Sequence, residues 1–137
     1  MTAKQWLSRA RTIDRELAVL IEAREVMVAQ LTKSTQTLTG DVVQSSKDPH
    51  KFDRLGELAL EIENRARELD AVKAEILRAI NRVPDGLCRI VLLERYLNMK
   101  SFERVAVDNS ISIRNVWRIH GRALQAVEVI NDGKKEI

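Results

Sequence analysis

The sequence predicts an all-α fold: a long antiparallel helical hairpin of coiled-coil character over residues 1–83, followed by a C-terminal trihelical helix-turn-helix domain over residues 84–137. Two observations support this fold class. The 137 residues include only 5 glycines and 2 prolines, and 4% are aromatic, so the turn residues and aromatic runs of a many-stranded protein are missing. Apolar residues also recur at alternating intervals of three and four through long stretches without glycine or proline.

The first segment predicts a single long helix that starts at Thr2 and ends at about Leu31. Thr2 and Gln5 have the spacing of a capping box, in which each side chain accepts a hydrogen bond from the backbone of the other. Arg24 is the polar break in the apolar seam that follows. The seam comprises Ala10, Ile13, Leu17, Leu20, Met27 and Leu31. Roughly 30 residues give a helix of about 45 Å, which is long for a small globular core.

A polar stretch separates this helix from the next. Residues 33–48 are rich in Ser, Thr, Gln and Asp, which predicts a loop long enough to be functional or mobile. Asp48 before Pro49 then predicts a helix start, because Asp caps free N–H groups and Pro suits the first helical position. The second helix is predicted to end at about Arg82, and Arg65 interrupts its apolar seam. That seam comprises Leu55, Leu58, Ile62, Leu69, Val72, Ile76, Ala79 and Val83.

Two long helices joined by a loop are expected to fold back on each other, since neither can bury its apolar stripe alone. The narrow stripes leave two alternatives: a second copy completes a bundle, or the hairpin stays monomeric and packs on the C-terminal part. Arg24 and Arg65 interrupt the two seams, and we expect them to fix register or pairing with acids such as Glu61. The predicted oligomer interface is then Trp6, Ile13, Leu17, Leu20, Met27, Leu55, Ile62, Leu69 and Ile76.

The segment "VPDGL" at 83–87 breaks the periodic pattern and marks the predicted domain boundary. Ser101 and Ser112 are predicted N-caps of short helices beyond it, and the brief connectors are typical of a compact helix-turn-helix unit. The predicted helices cover residues 85–97, 101–107 and 112–130. Their predicted core comprises Ile90, Leu93, Leu97, Phe102, Val105, Ala106, Val116, Ile119, Ala123, Val127 and Ile130.

The last predicted helix carries Arg114, Arg118 and Arg122 at four-residue spacing, opposite its apolar stripe, and no carboxylate precedes Glu128 on it. Such a stripe is often only a solvated surface. The alternative is a surface for a polyanion, which the net charge of +3 and the pI near 9.2 permit. The helix-turn-helix pattern around the stripe favours this second interpretation.

Residues 89–127, "RIVLLERYLNMKSFERVAVDNSISIRNVWRIHGRALQAV", carry a more specific signal. Its informative positions are Leu92, Leu93, Arg95, Tyr96, Val105, Ala106, Ser112, Val116, Ile119, Arg122, Ala123 and Leu124. At these positions the run resembles the helix-turn-helix of the fourth conserved region of bacterial sigma factors, which recognises the upstream promoter element. With "SSKDPHKFDRL" in the hairpin, the chain is similar to small prophage transcriptional regulators of the sigma-like, ArpU-type class.

The chain also departs from that family. The family turn typically has leucine and glycine where this chain has Asn109 and Ser110, although Asn tolerates left-handed backbone angles, so a turn can still form. Nothing in the sequence resembles the large sigma domain that opens DNA, so we do not expect a complete sigma factor.

The resemblance implies a regulator that binds double-stranded DNA in the cytoplasm of a bacterial host cell, with RNA polymerase as a further candidate partner. A helix fits the major groove, and basic side chains on successive turns follow the phosphate backbone. Trp117 has two alternative roles, DNA contact or packing, because it shares a second apolar stripe with Ile113 and Leu124. The predicted groove residues are Ile113, Arg114, Trp117 and Arg118, and the predicted phosphate contacts are Lys100, Arg104, Ser112, Asn115 and Arg122.

Metal, disulfide and catalytic sites are not expected. Cys88 has no second cysteine, and His50 and His120 offer no spacing for a tetrahedral metal site. No nucleophile lies in a glycine-rich turn and no phosphate loop occurs, so neither enzymatic activity nor a cofactor is predicted. His120 is expected to make a structural hydrogen bond, and Gly121 to mark a close approach of helices. No apolar run approaches the roughly 20 residues of a membrane span, so no membrane partner is expected.

Three functional hypotheses follow. The first is a phage or prophage DNA-binding transcriptional regulator that works as a homodimer or higher homo-oligomer. The second is a small-terminase-like DNA-recognition subunit, a class that also combines a helix-turn-helix with oligomerising helices. The third is a protein-interaction module that acts on RNA polymerase without touching DNA.

Overall fold

The computed structural model describes residues 1–36 and 50–135, and all regular structure within these ranges is helical, as predicted. Helices α1 and α2 are long, and α3 is continued by a π-helical turn at Leu93–Leu97. The five helices are α1 (Ala3–Gln36), α2 (Lys51–Asn81), α3 (Gly86–Leu92), α4 (Phe102–Asp108) and α5 (Ile113–Lys135). Residues 37–49, and with them most of the predicted loop and the predicted cap at Asp48 and Pro49, lie outside the described residues. Within the described ranges, none of these helices has the apolar length that a membrane crossing needs.

Side chains cap the helix starts where the sequence predicts them. The backbone N–H of Gln5 donates to Thr2 Oγ1 over 3.2 Å, and the N–H of Thr2 donates to Gln5 Oε1 over 2.9 Å, which confirms the capping box. Ser101 Oγ accepts from the N–H of Arg104 over 3.1 Å, and Ser112 Oγ accepts from the N–H of Asn115 over 3.1 Å. Local signals alone therefore determine where α1, α4 and α5 begin.

The chain forms two compact units. One comprises Met1–Thr12 with Leu69–Ile137, and the other comprises Ile13–Glu68. The first unit holds nearly all of the deeply buried side chains, among them Leu7, Ile76, Ile80, Val83, Val91, Leu92, Tyr96, Val105, Val116 and Val127. The predicted boundary at residues 83 and 84 falls inside this unit, because the first turns of α1 and the last turns of α2 share its core.

The C-terminal helices bury most of the predicted core. Val116, Ile119, Ala123 and Val127 are buried along α5, as predicted. The prediction for Ile90 is wrong, since its side chain is 42% exposed. The inward stripe of α3 and its π-helical continuation is instead Cys88, Val91, Leu92 and Tyr96.

A π-helical turn explains part of this difference. The N–H of Asn98 donates to the carbonyl of Leu93 over 3.0 Å, five residues back, so this turn contains one more residue than an α-helical turn. The added residue rotates the following side chains and brings Tyr96 into the core, while Leu93 and Leu97 remain half-buried. Apolar spacing of three and four assumes an α-helical period and misses this shift.

The second unit has little interior. Of its described side chains, only that of Ile13 is buried, and the seam residues Leu17, Leu20, Met27, Leu55 and Ile62 remain half-buried. Arg65 Nε lies 3.1 Å from Glu16 Oε2, and Met27 and Leu31 lie beside Arg54, so these parts of α1 and α2 run antiparallel. Arg65 does bind an acid across the seam, but this acid is Glu16; its second ion-pair partner is Glu68 on α2 itself, and Glu61 forms no ion pair with it.

The predicted oligomer interface needs correction at three positions. Ile76 has no exposed surface, and Ile13 and Leu69 are 7% and 6% exposed, so these side chains already pack inside a single chain. They have no surface left for a second copy. Trp6, Leu17, Leu20, Met27, Leu55 and Ile62 are half-buried, and their place in an interface stays a prediction.

Gly121 does not mark a close helix approach. A Cβ atom built at this position in α5 meets no atom within 4 Å, so side-chain packing in the chain does not require glycine there. Glycine inside a helix costs about 1 kcal/mol relative to alanine, because it gives up more backbone freedom on folding.

We therefore expect Gly121→Ala to raise the free energy of unfolding by about 1 kcal/mol, measured by urea unfolding followed by circular dichroism. Gly133→Ala is the control: its Cβ also meets open space, but it lies in the last turns of α5, where the gain should be smaller. A loss of stability in Gly121→Ala would contradict the open surroundings of this residue.

Candidate nucleic-acid interface

The connection between α4 and α5 is a Schellman turn. The N–H of Ile111 donates to the carbonyl of Ala106 over 3.0 Å, and the N–H of Ser110 donates to the carbonyl of Val107 over 3.3 Å. Ser110 adopts the left-handed conformation with φ of 56°. We expected Asn109 to supply that conformation, but Asn109 has φ of −107° and its side-chain Nδ2 instead donates to the carbonyl of Val105 over 2.8 Å.

The exposed side of α5 follows from the packing of its opposite side. Because Val116, Ile119, Ala123 and Val127 point into the core, the residues half a turn away face solvent. We call the exposed side that carries Arg114, Arg118 and Arg122 the arginine face. Trp117 borders it with 55% of its surface exposed, so its side chain is largely free of packing in the chain.

The three arginines differ in their partners. Arg122 Nη2 lies 3.5 Å from Asp85 Oδ2, and its side chain is still 60% exposed. Of the carboxylates in the described ranges, none forms an ion pair with Arg114 or Arg118, and both side chains are exposed. The structure therefore brings Arg114, Arg118 and Trp117 together on one open surface, next to the half-buried Ile113 and the exposed Asn115.

Lys100 and Arg104 both form ion pairs within the chain. Lys100 Nζ lies 2.6 Å from Glu94 Oε2 and 2.8 Å from Asp108 Oδ2, and Arg104 Nε lies 3.1 Å from Asp108 Oδ1. Hydrogen bonding to Asp108 and Glu94 raises the pKa of Lys100. Lys100 in turn lowers the pKa of both carboxyl groups.

The two cations and two anions cancel, so Lys100 stabilises the turn between the π-helical segment and α4 and offers little charge to a phosphate. Arg104 keeps a side chain that is 66% exposed despite its ion pair. Among the predicted phosphate contacts, Lys100 is therefore the least available to bind a phosphate.

A cluster of aromatic side chains packs against the inner side of α5, opposite the arginine face. Tyr96 Oη and His120 Nε2 lie 2.6 Å apart, which confirms the structural hydrogen bond expected of His120. The ring of Phe102 meets the imidazole edge to face at 4.9 Å between centroids, and the guanidinium of Arg95 lies 4.2 Å from the centroid of Phe102. These contacts connect the π-helical turn, α4 and α5.

Lys4 is a cation near this cluster, a position that the sequence did not suggest. Burial, followed by the nearby positive charges of Lys4 and Arg95, lowers the pKa of His120 to about 4. Lys4 therefore lies near His120 in the middle of α5, although 116 positions separate the two residues. No short sequence pattern links residues at that separation.

The low pKa of His120 predicts a specific loss of stability in mild acid. Above pH 6.5 the imidazole is neutral in the folded and the unfolded chain. Between pH 6.5 and 4 the unfolded chain takes up a proton that the folded chain excludes, so the free energy of unfolding falls by about 1.4 kcal/mol per pH unit and by about 3 kcal/mol in total. Below pH 4 this contribution no longer changes.

Urea unfolding of the wild type and of His120→Gln at pH 7, 6, 5 and 4.5 measures this effect. Carboxyl groups titrate in both proteins, so the difference between the two curves isolates the imidazole. The stability of the variant should depend less on pH across this range, and parallel curves would show that His120 is not held neutral.

Lys100→Met should lower the free energy of unfolding at pH 7, because Glu94 and Asp108 then lose their shared cation. Lys100 lowers the pKa of both carboxyl groups, so the loss should persist down to the ordinary carboxyl pKa range and shrink as the pH falls further, through those lowered pKa values. Lys73→Met removes a lysine without an ion-pair partner among the described residues and serves as the control. Equal stability of the two variants at pH 7 would contradict the proposed clamp.

Residues 1–36 and 50–135 contain no group of three His, Cys, Asp or Glu side chains placed to hold a metal ion. Comparisons with protein-family models, with curated protein sequences and with solved structures find no match to this chain. A functional assignment therefore depends on the geometry and charge of the arginine face.

Proposed function

We propose that this protein is a phage- or prophage-type DNA-binding transcriptional regulator, in which α1 and α2 form a helical hairpin and α3 to α5 form a sigma-like helix-turn-helix domain. The observation that carries the proposal is the open surface of Arg114, Trp117 and Arg118, where no carboxylate of the described chain neutralises the arginines. A helix exposed in this way fits the major groove of duplex DNA.

The start of α5 provides a second line of support. Helix N-termini carry a partial positive charge, so acidic residues stabilise the first turn by roughly 0.3 to 1 kcal/mol and basic residues oppose it. The first turn of α5 contains no acidic residue and does contain Arg114. A local departure from good helix design is common where a residue serves binding. The N-terminal N–H groups of α5 and Arg114 together favour an anion such as a phosphate.

We assign different roles along the arginine face. Arg114 and Arg118 lie one helical turn apart, and each guanidinium can donate two hydrogen bonds to the O6 and N7 atoms of a guanine. Ile113 and Trp117 flank them and provide apolar contact with base edges. Arg122, held near Asp85, and the exposed Asn115 are better placed for phosphates, as is Arg104 in α4.

DNA binding is tested by fluorescence anisotropy with duplex fragments from the genomic neighbourhood of the gene, repeated across salt concentrations. The wild type should prefer one fragment and show a steep dependence of affinity on salt. Arg114→Ala with Arg118→Ala should remove that preference and weaken binding to the preferred fragment at least about tenfold, since each bidentate arginine contributes roughly 1–3 kcal/mol.

The matched control is Arg67→Ala with Arg78→Ala. This variant loses the same net charge, from two exposed arginines of α2. It should still prefer the same DNA fragment, and its affinity for that fragment should change by less than about threefold. A fragment preference that survives in the Arg114 and Arg118 variant would overturn the groove assignment.

Weak binding to every fragment, together with a ring-sized oligomer in light scattering, favours the terminase-like alternative. Capture of RNA polymerase without any DNA binding favours the protein-interaction alternative.

A further inference from the structure

Helix α1 carries a short apolar patch on a side that the chain leaves open. Arg15, Val19, Ala23, Val26 and Gln30 follow one another at intervals of four, four, three and four, which places them along one side of the helix. Val19 is 46% exposed and Val26 is 52% exposed. We call this side of α1 the valine face.

The valine face borders a part of the seam that remains accessible. A hollow of about 330 Å³ is lined by Arg15, Glu16, Val19, Leu20, Glu61 and Arg65. A second hollow of about 140 Å³ is lined by Met27, Gln30, Leu31 and Arg54. Leu20 and Met27 are thus half-covered from the α2 side and open toward the valine face.

The arrangement is self-complementary. The valine face has polar ends at Arg15 and Gln30, with Val19 and Val26 equally distant from its midpoint beside Ala23. On α2, Arg54 belongs to one hollow; Glu61 belongs to the other, together with Arg65, which is already paired with Glu16 and Glu68. A twofold axis through the midpoint exchanges the two hollows. This axis therefore places Val19 of one copy against Val26 of the other. It also places Arg54 of one copy against Glu61 of the other.

We propose that a second copy of this chain binds on the valine face, with the two α1 helices antiparallel and Val19 of each copy against Val26 of the other. Such a contact is isologous, because the same patch is used on both chains. Ala23 near the axis allows the helices to approach closely. Arg54 of each copy then faces Glu61 of the other at the border of the contact.

The state of the second unit favours a second copy as the occupant. Ile13 is its only buried side chain among the residues that the structure describes, so two helices alone leave the seam half-open to water. Most helical stability in proteins comes from packing of an apolar side, and two more helices would cover these side chains as in a four-helix bundle. The proposal does not depend on DNA binding, and it revises the predicted interface from the seam to its open flank.

Sedimentation velocity of the full chain over a range of concentrations tests the proposal. The wild type, with a chain mass of 15.6 kDa, should show a concentration-dependent equilibrium between monomer and dimer. Val19→Glu should raise the dimer Kd by at least about tenfold, because the contact would bury an unpaired carboxylate. Val28→Glu is the matched control: it has the same 46% exposure but lies half a turn away on α1, and it should leave the Kd unchanged.

A cross-linking experiment tests the register. Ala23→Cys should give a covalent dimer with a short bismaleimide, because the two positions lie beside the proposed axis. Val28→Cys should stay monomeric under the same conditions, and the wild type gives the background from its buried Cys88. A wild type that sediments as a monomer at all concentrations would overturn the proposal. So would equal cross-linking through positions 23 and 28, or equal effects of Val19→Glu and Val28→Glu.

Discussion

The buried contact between the Tyr96 hydroxyl and the imidazole of His120 constrains how the C-terminal helices can be arranged. Tyr96 belongs to the π-helical turn and His120 to the inner side of α5, while Phe102 covers the imidazole from the start of α4. An arrangement that separated the two polar atoms would leave buried groups without partners, at a cost of roughly 1–3 kcal/mol each. The arginine face is therefore oriented by contacts on the opposite side of its own helix.

Features that depend on neighbouring residues could be predicted from the sequence. Thr2, Ser101 and Ser112 cap their helices through side chains that reach only three residues along the chain, so their spacing is sufficient evidence. The inward stripe of α5 was equally clear, because an uninterrupted α-helical period repeats Val116, Ile119, Ala123 and Val127 on one side.

Features that depend on irregular geometry or distant residues could not be predicted. The π-helical turn changes the helical period without a glycine or proline to mark it, and it exchanges Leu97 for Tyr96 in the core. Lys100 looked like a free cation in the sequence. Glu94 and Asp108 are six and eight residues away, and they come close to Lys100 only once the turn between the π-helical segment and α4 has formed. Arg65 crosses its seam to Glu16, a choice that depends on the relative position of α1 and α2 within the second unit.

The left-handed conformation of Ser110 limits how the connection between α4 and α5 can vary. A residue other than glycine in this region costs roughly 1 kcal/mol, and a β-branched side chain costs more because of its contact with the backbone. Glycine and asparagine fit this conformation at a low cost, whereas valine and isoleucine do not. Position 110 therefore accepts few residue types although it is exposed. The constraint comes from the backbone conformation and not from burial or charge.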